Sequence, residues 1–511
     1  MLELANPRAA VEWLRARVSG ELQVDSRRIG TGDGFIAWPG AKADGRRYVQ
    51  DALSRGAVAC LVEREGVESF NLESDAIAGL HGLKAQTGPI AAAWYGEPSE
   101  RLDLLAVTGT NGKTSTAWWL AQALSRLPRS HQVPTAIVGT LGIGLPPGPG
   151  VKALTDTGLT TPDPVTMQRW FAKFASDGLA ACAIEASSIG LEEGRIAGSR
   201  IRLAIFTNFS QDHLDYHGSM QAYWRAKAAL FDWPGLQAAV INVDDEHGAK
   251  LAASLASLPL DVWTCSTRAA ARLQATGIES GAGGLSFSVA EGPDVYPIKT
   301  PLIGGYNVSN LLGVIGAMRA LGVPLEAAAR ACQSVDPVPG RLERVGVGAN
   351  PLVVVDYAHT PDALEQVLGV LKPLARERAG KLCCVFGCGG DRDPTKRAPM
   401  AAAVEGQADE VVVTSDNPRT EDADAIIRQA VAGLKQPERA TVQPDRGRAI
   451  ADAIARAAEA DVICIAGKGH ETYQEIRGVK HPFSDSAQVA TALAKRSGTS
   501  NGSATSIGVH A

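Results

Sequence analysis

One stretch restricts the fold more than any other. Leu104-Leu105-Ala106-Val107 reads as an apolar strand, Thr108-Gly109-Thr110-Asn111-Gly112-Lys113-Thr114-Ser115 as a glycine-rich turn, and TSTAWWLAQALSRL (114–127) as a helix. A strand that feeds such a turn and then a helix predicts one βα unit of a mostly parallel sheet. In that setting glycines let backbone N–H groups converge on phosphate oxygens, and the helix N-terminus adds positive potential. Lys113 supplies a point charge and the Thr114 hydroxyl can ligate Mg²⁺. Gly109, Thr110, Asn111, Gly112, Lys113, Thr114 and Ser115 are therefore the expected nucleoside triphosphate-binding residues. The spacing departs from GxxxxGK[ST] because position 107 is Val, and a plain glycine turn with a solvated lysine is the structural alternative.

The alternation repeats in CAIEAS (182–187), RLAIFTN (202–208) and AAVINVDD (238–245). Near Gly340 a second set begins: PLVVVDYAHTP, KLCCVFGCGGDRD, EVVVTSDNPR and DVICIAGKGHE, each strand running into a loop rich in glycine or charge. The expected class is α/β with three domains: a small N-terminal α/β domain (1–97), a central phosphate-loop domain with a mostly parallel sheet (98–340), and a C-terminal Rossmann-like domain (341–495). The 511 residues suit that count at about 150 residues per domain. Residues 496–511 are polar and Gly/Ser-rich, and a disordered tail is expected there.

Lys+Arg 50 against Asp+Glu 55 gives a net charge of −5, so no global basic field exists for nucleic acid or anionic lipid, and neither partner is expected. The eight cysteines contain no CxxC pair; Cys383, Cys384 and Cys388 come nearest to metal spacing but lack a second ligand pair. Buried small hydrophobes in a reducing compartment are expected instead. The opening MLELANPRAAVEWLRARV is unlike a signal peptide and no run of 18 apolar residues follows, so the expected location is cytoplasmic.

Further motifs are ordered along nearly the whole chain: DSRRIGTGDGFIAWPGAKADGRRYV (25–49), TTP (160–162), EASSIGLEEGRI (185–196), TNFSQDHLDYHGSMQAYWRAKAALF (207–231), GGYNVSN (304–310), PGRLE (339–343), DYAHTPD (356–362), GCGGDRD (387–393), DNPR (416–419) and GKGHE (467–471). With TGTNGKTS they resemble the Mur ligase family, and within it the branch that adds diaminopimelate. The resemblance implies an ATP- and Mg²⁺-dependent ligase acting as a monomer. It would join meso-diaminopimelate to UDP-N-acetylmuramoyl-L-alanyl-D-glutamate through an acyl phosphate, in the peptidoglycan precursor synthesis on which cell shape and division depend. A folylpolyglutamate synthase-like ligase shares the loop and the route, but DSR, ADGRR and DNPR argue against it. A non-ligating P-loop nucleotide switch would not need Glu185, His213 and Lys227.

Residue chemistry supports a ligase independently. Joining a carboxylate to an amine in water requires activation, and a phosphate loop can supply a γ-phosphoryl group. Moving it onto an anion demands cations and hard ligands near them. Thr114, Ser115, Glu185 and His213 are the metal candidates, with Lys113, Glu185, His213 and Lys227 expected to be catalytic. On spacing alone Glu185 could equally cap a helix, His213 could be a satisfied loop histidine, and Lys227 could snorkel. By resemblance Lys227 is carbamylated, which turns a cation into a two-oxygen anion able to hold a second Mg²⁺.

Also by resemblance, Val24, Ser26, Ala41, Lys42, Ala43, Thr160, Thr161, Ser187, Glu193 and Arg195 bind the UDP-substrate, and Asn307, Arg341 and Asp356 the adenosine, with His359 nearby. Leu159 stands where Asn is often found, Ile189 replaces His and Glu193 replaces Gln. Arg392, Asp416, Asn417, Pro418, Arg419, Gly467 and Glu471 are the expected diaminopimelate residues. Diaminopimelate differs from lysine by a second carboxylate, which a fixed guanidinium can take bidentately. DNPR also reads as an Asx turn, one that presents Arg419.

Overall fold

The computed structural model describes residues 1–40, 43–146, 154–281, 283–346 and 351–496. The chain divides into two compact units, one of Met1–Thr276, Ser288–Ile298 and Ser309–Val335, the other of Gly277–Phe287, Lys299–Val308 and the residues from Asp336 onward. Three main sheets carry the α/β architecture.

In the first unit, five short parallel strands lie in the order Leu2–Glu3, Ile77–Leu80, Ala59–Glu63, Gly34–Ala37, Leu22–Gln23. Their alternating faces pack under Leu14, Leu83 and Ile90 on one side and Val49, Ala52 and Leu72 on the other.

The central sheet has ten strands. Its parallel body runs Asp261–Ser266, Ala238–Asn242, Ile201–Phe206, Asp103–Thr108, Ala181–Glu185, Thr135–Gly139. Gly142–Gly144 pairs antiparallel at one edge, and Leu273–Gly281, Gly284–Glu291 and Asp294–Thr300 continue the other. The order reverses at Asp103–Thr108: within the parallel body two later strands lie to one side of it and three to the other. Such a switch point opens a crevice beyond the carboxyl ends of the strands, and the glycine-rich loop 109–112 emerges there. Register sets Glu185 beside Val107 and Phe206 beside Thr108, so the residues after each strand converge on the loop.

The second unit holds a six-stranded sheet in the order Glu343–Val345, Leu352–Asp356, Val462–Ala466, Leu382–Cys388, Glu410–Ser415, Thr441–Val442; all pairs but the first are parallel. Leu382–Cys388 is buried along its whole length, as a parallel strand covered on both faces must be. Leu364, Leu371, Met400 and Ile427 cover one face, and Ile450, Ile454, Val489 and Leu493 the other. Arg446 and Asp485 form a fully buried bidentate pair (2.8 and 2.7 Å), and the same guanidinium donates to the Ala466 carbonyl at 3.0 Å.

All eight cysteines are free and buried. Among the described residues no group of three or more His, Cys, Asp or Glu could hold a metal, and no helix is long and apolar enough to cross a membrane. The tail expected at 496–511 lies, beyond Arg496, outside the described residues, as do Ala41 and Lys42.

Candidate active site

The loop after Asp103–Thr108 is braced from the neighbouring strand end. The Thr207 hydroxyl donates to the Asn111 carbonyl (2.6 Å), Asn208 Oδ1 accepts from the Asn111 amide (2.9 Å), and the Thr110 amide donates to the Asn208 carbonyl (2.8 Å). Gly109 sits at φ 143° and Gly112 at φ 83°. A Cβ at either position would also overlap a side chain, Thr207 at Gly109 and Asn310 at Gly112, so both backbone shape and space require glycine. The helix Lys113–Ser125 starts directly after Gly112 with no side-chain cap, which leaves its first N–H groups for an anion.

Lys113 Nζ donates to the carbonyls of Gly109 (2.9 Å) and Thr110 (2.8 Å). Lys227 Nζ donates to the same Gly109 carbonyl at 2.6 Å, is only 1% exposed, and stands 4.5 Å from the Tyr223 ring centre. It lies on the helix Met220–Ala228 and is neither solvated nor snorkelling. Two ammonium groups on one buried carbonyl would repel. Burial above all, then Lys113, lowers the Lys227 pKa to about 6, with Asp212 opposing, so the amine is neutral at physiological pH.

Glu185 is 1% exposed and caps no helix. Its Oε2 accepts from the hydroxyls of Thr114 (2.8 Å) and Thr140 (3.1 Å), and its Oε1 from the Thr140 amide (2.8 Å). Ser115 is buried one residue beyond Thr114. His213 takes a left-handed backbone (φ 50°), with Nε2 3.5 Å from Asp212 Oδ2 and its ring 6.0 Å from that of Tyr223. Tyr223 thus neighbours both His213 and Lys227, and its hydroxyl lies 3.2 Å from Thr110 Oγ1.

The expected UDP-substrate residues form two groups. Thr160, Thr161, Ser187 and Arg195 cluster beside Glu185: Thr160 Oγ1 lies 3.1 Å from Thr140 Oγ1, Thr161 Oγ1 donates to the Glu185 carbonyl (2.7 Å) and lies 3.0 Å from Ser187 Oγ, and Arg195 donates to the Thr161 carbonyl (3.0 Å). Glu193 turns to Lys84 (2.8 Å) and to the Tyr216 hydroxyl (2.6 Å). Leu159 is exposed and Ile189 half-buried. Val24 packs against the core of the first sheet, Ser26 is buried, and Ala43 is exposed.

In the second unit, Asp356 ends the strand Leu352–Asp356, buried, accepting from the amides of Leu342 (2.7 Å) and Ala358 (2.8 Å). Burial pushes its carboxyl up, against the pull of Arg341. Arg341 stacks 4.8 Å from the Tyr357 ring centre, His359 Nδ1 lies 2.7 Å from the Tyr357 carbonyl, and Asn307 donates to the Ile303 carbonyl (2.7 Å). The segment 416–419 follows the strand Glu410–Ser415. Asp416 Oδ1 accepts from the Asn417 amide at 2.6 Å, one residue on where an Asx turn needs two, and Asn417 Oδ1 is taken by Lys468 and the Glu475 amide, so the turn read from DNPR is not formed by either side chain. Arg419 has φ 52° and donates to the Gly390 carbonyl at 2.6 Å, with Nε 3.8 Å from Glu475. Asn417 donates to Glu471 (2.7 Å) and accepts from Lys468 (2.9 Å). Gly467 adopts φ 119°, and a Cβ there would press on Asp416 Oδ2 at 2.6 Å. Pro418 lies between Asn417 and Arg419, and Arg392 is exposed in the loop after Leu382–Cys388.

Sequence reasoning missed Thr140, Tyr223 and Lys468. Tyr223 was four residues before Lys227, one helical turn away; Lys468 stood inside GKGHE with no role assigned.

Comparison with known proteins gives a consistent set of likenesses. Residues 20–89, 107–318 and 340–469 match models described as "Mur ligase family, catalytic domain", "Mur ligase middle domain" and "Mur ligase, glutamate ligase domain". The chain is 59% identical over 493 residues to a UDP-N-acetylmuramoyl-L-alanyl-D-glutamate–2,6-diaminopimelate ligase of Acidovorax sp., covering 96% of this chain and 97% of that one. A ligase of the same name from Janthinobacterium sp. is 48% identical, covering 95% and 96%. A solved structure of a ligase so named superposes with TM-score 0.66 at 35% identity, covering 93% and 95%. A Mycobacterium tuberculosis folylpolyglutamate synthase reaches 0.58 at 22% identity, covering 81% and 95%, a likeness of fold.

Proposed function

Because this chain belongs to the Mur ligase family, we propose that it is the ATP-dependent ligase that adds 2,6-diaminopimelate to UDP-N-acetylmuramoyl-L-alanyl-D-glutamate in peptidoglycan precursor synthesis. The observation that carries this reading is the 59% identity, over nearly the full length of both chains, to a ligase of that name. The domains are 1–97, 98–340 and 341–495, and the enzyme works as a monomer in the cytoplasm.

The reaction runs in two balanced steps. A terminal oxygen of the glutamyl carboxylate attacks the γ-phosphorus of ATP, the bond to the β,γ-bridging oxygen breaks, and ADP leaves. The acceptor amine then attacks the acyl carbonyl, phosphate leaves, and the amine's extra proton passes to solvent or a base. The loop amides and the start of Lys113–Ser125 cradle the phosphates, while Lys113 leaves the carbonyls it holds and follows the γ-phosphoryl charge. Asn307, Arg341 and Asp356 receive adenosine. Val24, Ser26, Ala41, Lys42, Ala43, Thr160, Thr161, Ser187, Glu193 and Arg195 receive the UDP-substrate.

The Thr114 hydroxyl and the Glu185 carboxylate are hard oxygen donors, and one carboxylate with phosphate oxygens is what Mg²⁺ takes. Ser115, His213 and Lys227, as its carbamate, complete the candidate set, and Mg²⁺ would neutralise charge on the transferring group. The neutral Lys227 amine can add to CO₂: an N–C bond forms, a proton leaves, and a carbamate results whose one negative charge is shared by two oxygens.

Arg419, fixed through Gly390, recognises the second carboxylate of diaminopimelate, beside Arg392, Asp416, Asn417, Pro418, Gly467 and Glu471. Arg419→Ala is expected to reduce the preference for diaminopimelate over L-lysine by about tenfold to several hundredfold, with the KM for ATP near its parent value. Steady-state rates with the two amines measure this; an unchanged preference removes Arg419 from the specificity role.

The primary test is phosphate release from ATP and Mg²⁺ with the UDP-dipeptide substrate and meso-diaminopimelate, L-lysine or no amine. Turnover with diaminopimelate alone is expected. Turnover only with lysine would overturn the acceptor assignment, and none with any amine would overturn the ligase.

A further inference from the structure

Lys468 lies beneath the segment that carries the proposed acceptor residues, with a side chain 0% exposed. Its Nζ donates to Glu471 Oε2 at 2.8 Å and to Asn417 Oδ1 at 2.9 Å, and stands 5.6 Å from the Tyr473 ring centre. Asn417 is 2% exposed. Its Oδ1 also accepts from the Glu475 amide (2.9 Å), and its Nδ2 donates to the same Glu471 Oε2 (2.7 Å).

Both donors at Asn417 Oδ1 are N–H groups with no accepting capacity, which fixes the amide's orientation. Both lone-pair directions of that oxygen are then filled. Glu471 Oε2 likewise takes two donors, while Oε1 has no hydrogen-bond partner among the described residues. The Glu471 side chain is 18% exposed, and of its two carboxylate oxygens Oε2 is the one held by donors.

We propose that Lys468 is the positioning residue of the acceptor half-site: by tying Glu471 Oε2 to Asn417 Oδ1 it presents Glu471 Oε1 to an ammonium group of the incoming diamino acid. This rests on the reading of Glu471 and Arg419 as acceptor residues. Asn417 then acts through Glu471, and the ammonium meets Glu471 while a carboxylate meets Arg419. A buried ion pair gains little over well-packed apolar neighbours, so the benefit of burying a lysine here is geometry. A diamino acid is flexible along its chain, and a carboxylate fixed in advance binds it without itself being ordered on binding.

Lys468→Met keeps the length and removes the donor. The expected result is a rise in the KM for diaminopimelate of about tenfold to a hundredfold, with the KM values for ATP and the UDP-substrate near the parent's. Glu471→Gln is expected to raise the same KM. The double variant should be no worse than the more affected single, because the two residues act as one unit. A rise in all three KM values together, or additive effects in the double variant, would overturn the positioning role. Should Lys468→Met fail to fold, Lys468→Gln is read in the same way. If Glu471→Gln raises the diaminopimelate KM and Lys468→Met does not, this proposal alone falls. If neither Glu471→Gln nor Arg419→Ala moves it, the acceptor-site reading falls first.

Discussion

Lys113→Ala lowers ligation at least about a thousandfold, the scale on which cationic groups that follow a transferring phosphoryl group contribute, and leaves the fold in place. The fold is spared because Lys113 is partly exposed and donates to two carbonyls of its own loop, a local hold that water can replace. Phosphate release and a thermal melt, run side by side, measure both halves. Near-parent turnover in the variant would remove the phosphate-loop assignment. A collapse of the melting midpoint would instead make Lys113 a structural residue.

Lys227→Met is expected to have an effect as large on turnover and of opposite sign on stability. The Lys227 amine falls from its ordinary 10.5 to about 6 in the fold, chiefly through burial. Between those values the unfolded chain binds a proton that the native chain does not, so native stability declines as pH falls from 10.5 towards 6 and changes no further below. A methionine has no such proton to lose. In CO₂-free buffer the variant should therefore melt at or above the parent at pH 7, with the gap narrowing as pH rises towards 10. Turnover should be lost to about the same extent as in Lys113→Ala.

The groups facing this amine are Lys113, Asp212 and Tyr223. Only the neutral amine adds CO₂, so restoring activity to degassed parent enzyme with bicarbonate should succeed above about pH 6 and fade below it. A carbamate resonance from ¹³C-labelled bicarbonate, absent in Lys227→Met, is the direct observation. Full activity in degassed buffer that bicarbonate does not change would refute the modification.

Much of this was legible in the chain itself. Apolar runs of four to seven residues ending in Thr, Glu, Asp or Asn marked the parallel strands, because strands covered on both faces leave no room for polar residues until they emerge. LLAVTG, CAIEAS and DNPR each lay within two residues of the observed strand ends. Partnership was not legible. Glu185 and Thr140 are 45 positions apart in the chain, and nothing local in either marks the other. Lys227 has the composition of a surface lysine on an amphipathic turn, and its burial is set by Tyr223 and the loop at Gly109. Asn417 read as a ligand contact, yet its amide is occupied by Lys468, Glu471 and Glu475, a network that ties it to one stretch 51 to 58 positions further along the chain.

The Arg446–Asp485 pair ties the last described helix to the proposed acceptor half-site. Asp485 is the first residue of the helix Asp485–Arg496, and through Arg446 it fixes the Ala466 carbonyl, one residue before Gly467. Shortening the chain to any point before 485 would strand a guanidinium in the core, a loss of about 3–5 kcal/mol, and would slacken the turn on which Gly467, Lys468 and Glu471 sit. Anyone trimming this protein for expression or crystallisation has to keep the helix Asp485–Arg496 whole.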